Sequence, residues 1–161
     1  MQEETVQIEI VRLMKVSPET LYQAWLHPEL LRQWFLTTPR TNQKLDNDPV
    51  EGGTYEIIDA KNQKELRVVG TYQVLIPDQH IVMTMGMPHL SDVEDLIELY
   101  FEEREPGICQ MTFRYQSDIP KERRLTRLEY KQKKKEYHDS TVHGFEMMFD
   151  KLQQVIEEDD E

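Results

Sequence analysis

At 161 residues the chain has the length of one domain, able to remove about 70% of its unfolded surface from water and so to build a core without disulfides or metals. Its 31 Asp and Glu against 19 Lys and Arg leave a formal net charge of −12 at pH 7, which argues against nucleic acid as a partner. A hydrophobic share of 38% argues against wholesale disorder, and a single cysteine, Cys109, excludes an internal disulfide and every multi-cysteine metal pattern.

No apolar stretch approaches the roughly 20 residues that cross a bilayer, so no transmembrane segment is expected. The start Met-Gln-Glu-Glu-Thr lacks the basic patch and apolar run of a signal peptide. The expectation is a cytoplasmic protein, monomer or homodimer.

Val6, Ile8 and Ile10 alternate with polar neighbours, the period of a half-buried strand. Beyond Ile10, Val11, Leu13 and Met14 break the alternation, which predicts a bulge or a strand end covered on both faces. Ser17-Pro18-Glu19 then caps and opens a short helix through Leu21, Ala24 and Trp25. His27-Pro28 ends that helix and starts a second, which carries Leu30, Leu31, Trp34 and Phe35. Residues 37–53 are polar, aperiodic and end at Gly52-Gly53, and read as a surface loop.

Five strands follow: one with Tyr55 and Ile57, one alternating from Leu66 to Ile76, then Ile81 to Met85, Ile97 to Phe101, and Cys109 to Tyr115. Their short connections predict an antiparallel meander, because parallel neighbours need a long crossover. From Val142 to Ile156 the apolar period becomes helical, with Phe145, Met148, Phe149 and Leu152 on one broad face that must lie on the sheet. Residues 121–135 hold eight Lys or Arg against two Glu, and 157–161 form an acidic tail. The whole is expected to be one α+β domain, in which 118–140 is a basic insertion or an extension of the last helix.

This order resembles the helix-grip fold of the START and birch-pollen-allergen superfamily, a curved antiparallel sheet of about six strands wrapped around a long C-terminal helix. Within it the chain is similar to the family named after the activator of heat-shock-protein-90 ATPase. The residues that carry the likeness are Ser17-Pro18-Glu19, His27-Pro28-Glu29, Trp34, Gly52-Gly53 before Tyr55, Val69-Gly70-Thr71-Tyr72, Ile76-Pro77 before Ile81-Val82-Met83-Thr84, and Gly144-Phe145 leading to Leu152. They span about residues 6–117 and 142–156; at Gly144-Phe145 the family commonly has Gly-Trp. The resemblance implies three functions: a binding protein for a small apolar or amphipathic molecule, a protein-interaction module regulating a chaperone ATPase, or a cavity enzyme of polyketide cyclase or hydrolase type.

A sheet curled around a helix leaves a gap that large side chains must fill or line. Trp34, Tyr55, Tyr72, Met83, Phe101, Phe113, Phe145, Met148 and Phe149 are therefore candidates either for plain core or for the wall of an apolar pocket, with His143 as a polar group inside it or a residue at the surface. An enzymatic role falls to Tyr55, Tyr72 and His143. No catalytic residue is assigned, because the acyl-transfer, nucleotide and metalloprotease motifs are missing. His27, His80, His89, His138 and His143 show no metal-ligand spacing, so neither a metal nor a cofactor is expected. Cys109 reads as a small buried hydrophobe. The basic run is either a solvated stretch or a docking site for an acidic protein or membrane surface.

Overall fold

Strand β1 (Glu4–Met14) keeps one register with β7 (Ile108–Ile119), from Glu4 opposite Ile119 to Met14 opposite Cys109, without a bulge. Its alternation persists to the end, contrary to the sequence reading. Val6, Ile8, Ile10 and Met14 are buried, whereas Val11 and Leu13 point outward and are exposed. The pattern breaks because Arg12 takes an inward position, where the last helix offers Glu146 at 3.0 Å and Asp150 at 2.8 Å. A computed structural model describes residues 4–61, 63–88, 94–119 and 126–158; His89, the first part of the basic run (121–125) and the end of the acidic tail (159–161) lie outside the described residues.

Helix α1 (Pro18–Ala24) is capped by Ser17, whose hydroxyl accepts from the Thr20 amide. Helix α2 (Pro28–Trp34) is capped by His27, whose Nδ1 accepts from the Glu29 amide. The remaining elements are β2 (Asn42–Asn47), β3 (Thr54–Lys61), β4 (Lys64–Ile76), β5 (His80–Gly86), β6 (Glu94–Glu105) and α3 (Arg127–Glu158). The sheet is antiparallel throughout in the order β1-β7-β6-β5-β4-β3-β2, seven strands rather than about six. The extra strand, β2, falls in the stretch read as loop. Leu45 is its one apolar residue, so hydrogen bonding to the β3 edge rather than burial makes it a strand.

β1 and β2 occupy opposite edges, roughly 29 Å apart along the sheet, so the chain between them must cross the curved inner face. α1 and α2 make that crossing and cover the face together with α3. α3 begins at Arg127, so the described part of the basic run is an extension of the final helix rather than a loop. Phe145, Phe149, Leu152 and Ile156 are buried along its inner stripe. Phe113 of β7 lies at the centre of the core, its ring centroid 4.7 Å from Phe145, 5.0 Å from Phe149 and 6.2 Å from Trp25. Trp34 stands edge-on to Trp25 at 4.7 Å and donates its indole N–H to the Ala24 carbonyl at 3.1 Å.

Candidate functional site

Side chains do not fill the whole space between sheet and helix. A cavity of about 1250 Å³ remains beside the aromatic core, walled by the α2–β2 connection, the ends of β3, β5, β6 and β7, and the middle of α3. Its apolar surface comes from Trp34, Leu36, Met85, Met87, Phe145 and Met148. Gly144 is part of this wall, and a Cβ added to it would meet nothing within 4 Å, so the helix leaves room there.

Polar groups meet this surface in two places. On the α2–β2 side Thr37, only 5% exposed, donates to Asp59 Oδ1 at 2.8 Å. Thr41 donates to the same oxygen and shares a 2.8 Å hydrogen bond with Thr38, so Asp59 ties this connection to β3. On the α3 side Tyr115 donates to Asp95, and Tyr137 donates to Ser117 Oγ at 3.2 Å. Burial, and then the Asp95 carboxylate, push the Tyr115 hydroxyl well above the usual phenol range, so it remains a neutral donor. Leu36 enters the connection with φ +57°, a left-handed backbone that costs a Leu about 1–2 kcal/mol, and its amide donates to Met148 Sδ at 3.4 Å. The loop is thus tied to α3 as well as to β3.

Of the ten candidates from the sequence, Trp34, Phe145 and Met148 are in the cavity wall. Tyr55, Tyr72, Met83, Phe113 and Phe149 are buried in the packed core. Tyr55 donates to the Thr84 carbonyl at 2.6 Å, and the Tyr72 hydroxyl accepts from Asn47 at 3.2 Å. Phe101 is six residues along β6 from Asp95, about 20 Å away, and packs on Tyr22 of α1 with centroids 6.1 Å apart. His143 is exposed on α3 and is not in the wall. Cys109 is buried, and burial pushes its thiol up to about 11.

Sequence reasoning missed the hydroxyl and carboxylate groups of the wall. Tyr115 carried a signal, the inward parity of Phe113 two residues before it. Thr37, Thr41, Asp59 and Asp95 carried none, since only the folded chain brings that connection against β3. Among the described residues no three His, Cys, Asp or Glu side chains gather as a metal cluster, and no helix is long and apolar enough to cross a membrane. The wall thus sets an apolar bed beside hydroxyl donors and carboxylate acceptors.

The fold is shared with solved structures along nearly the whole chain. A protein of unknown function from Staphylococcus aureus is 51% identical, with a TM-score of 0.92 and coverage of 98% of this chain and 97% of that one. An uncharacterised protein from Rhizobium leguminosarum is 20% identical, with a TM-score of 0.71 and the same two coverages. Ara h 8.0201 is 11% identical over 95% of this chain and 98% of its own, with a TM-score of 0.71, a likeness of fold alone. No curated protein matches the sequence. The model of the family described as activator of Hsp90 ATPase homolog 1-like protein matches residues 15–157, a span that takes in the second stretch of resemblance, the first from residue 15 onward and the basic segment between them, and the chain belongs to that family.

Proposed function

We propose that this is a START-like binding protein of the cytoplasm that holds one small amphipathic molecule between the sheet and α3, without covalent chemistry. The observation that carries the reading is the cavity of about 1250 Å³. The space is apolar on its inner wall and open to solvent past Arg40, Lys61 and Lys151, the concave form in which small-molecule sites occur. Its Met-rich surface adapts to ligands of varied shape, and its few polar groups suit orientation rather than turnover. Trp34, Phe145 and Met148 form the bed in this reading, with Met85 and Met87 opposite.

Gly144 provides the test. Gly144→Trp fills the space above the helix without meeting a neighbour at Cβ, and is expected to cut uptake of the neutral dye Nile red at least tenfold while the circular dichroism stays native. Gly144→Ala is expected to preserve uptake and to raise stability by up to about 1 kcal/mol through helix propensity. Native mass spectrometry of the purified wild type is expected to show a co-purified small molecule that the Trp variant lacks. Equal dye uptake by a folded Gly144→Trp variant rules the cavity out as the binding site.

A further inference from the structure

The cavity rim holds three cations: Arg40 from the α2–β2 connection, Lys61 from the end of β3 and Lys151 from α3, all exposed. Three carboxylates share the wall with them, and each is already engaged. Asp150 pairs with Arg12 at 2.8 Å, Asp59 accepts from Thr37 and Thr41, and Asp95 accepts from Tyr115. The cations are not engaged: among the described residues none of the three makes an ion pair or a side-chain hydrogen bond.

Unpaired cations also occur away from the rim among the described residues, at Lys15, Lys64, Arg127, Lys131 and Lys135, so what marks the rim is that three of them border one opening. In the body of the sheet and its two short helices Arg12, Arg32, Arg67, Arg104 and Arg114 are all ion-paired, and Arg40 is the exception. Three unpaired cations from three separate elements border this opening beside carboxylates that already have partners, which leaves their charge available to an anion.

We infer that the rim is an anion site that takes the head of an amphipath carrying one negatively charged group, a carboxylate or a phosphate monoester, with the apolar tail lying between Met85, Met87, Phe145 and Met148. The inference rests on the binding reading above and gives the ligand its class and orientation. Arg40 presents a planar fork that matches either head bidentately, while the two lysines act as point charges. Asp59 and Asp95 set the orientation, because carboxylate oxygens inside the cavity disfavour an anionic head there and keep it at the rim. The tail supplies affinity, about fourfold for each methylene it buries.

The test displaces Nile red from the full chain with dodecanoate, dodecyl phosphate, dodecanol and dodecylammonium, each below its micelle concentration, at low and high salt. The two anions are expected to displace dye at about tenfold lower concentration than the alcohol, the size that three partly solvated ion pairs support, with the advantage shrinking in salt. The cationic amphiphile is expected to be weakest. Combining Arg40→Gln, Lys61→Gln and Lys151→Gln, all exposed and without structural partners, is expected to erase the anion advantage and leave dodecanol unchanged. Preference for phosphate over carboxylate, or the reverse, identifies the head and supports the site in either case. Displacement independent of head group, or an anion advantage that survives the triple variant, overturns the anion site and leaves the apolar cavity standing. Failure of the dye and of all four amphiphiles to bind overturns both.

Discussion

Phe149→Ala tests most directly whether α3 is clasped by the sheet. Phe149 is fully buried, with Phe113, Trp25, Phe145 and Trp34 rings at 5.0, 6.0, 6.0 and 6.4 Å and the Arg12 guanidinium 5.9 Å above its ring. Truncating such a side chain removes its transfer free energy and leaves a cavity that rigid neighbours cannot close, a loss of about 3–5 kcal/mol. Edge and tilted ring contacts add to this, although contacts sharing one ring are not additive. We expect about 4 kcal/mol. At 2–4 °C per kcal/mol for a chain of this size, Tm falls by about 8–16 °C and the variant stays folded at 25 °C. Urea unfolding followed by far-ultraviolet circular dichroism and by tryptophan fluorescence measures it, since Trp25 and Trp34 both border the site. The m-value is expected to hold, and Met147→Ala, at a position 58% exposed, is expected to stay within about 0.5 kcal/mol of wild type. A loss below 1 kcal/mol at Phe149 with an unchanged m-value refutes the clasped helix.

Two further outcomes follow from the core. Gly70→Ala drives a Cβ into the Thr84 carbonyl oxygen and the Tyr55 ring that lies across Gly70, and is expected to cost about 2 kcal/mol by the same urea assay, where a neutral result contradicts the packing of Tyr55 on β4. Burial pushes the Tyr72 hydroxyl up to about 12 from an ordinary value near 10. A folded-state value raised in this way contributes stability that is complete below pH 10 and lost as pH rises towards 12, about 3 kcal/mol for a shift of this size. Urea midpoints measured from pH 9 to 12 are expected to fall less steeply for Tyr72→Phe than for wild type, and parallel curves refute the assignment.

Much of the architecture was legible because it rests on local periodicity. The unbroken alternation of β4, the Ser17-Pro18 and His27-Pro28 helix starts and the helical spacing from Phe145 to Ile156 each encode an element within a dozen residues, and the structure has all of them. The misreadings share a cause. Val11, Leu13 and Met14 looked like a fault in β1 because the partners that draw Arg12 inward, Glu146 and Asp150, are more than 130 residues away. β2 looked like loop because its hydrogen bonds belong to a neighbouring strand rather than to its own pattern.

The site was legible only in part, for the same reason. Aromatic and Met residues at strand and helix spacing announce an apolar interior, but spacing cannot separate Phe149, packed against four rings, from Met148, one residue earlier on the turn towards the cavity. Nor does it show that Thr37, Thr41 and Asp59 close together, or that Arg40, Lys61 and Lys151 surround one opening. Alternation and helical period are properties of neighbouring residues, so the amino-acid order by itself determined the elements other than β2, the antiparallel meander and the apolar stripe of α3. Where the sheet and helix fail to touch, and which charges border that gap, depends on how far apart distant segments come to rest, and only the tertiary structure decided it.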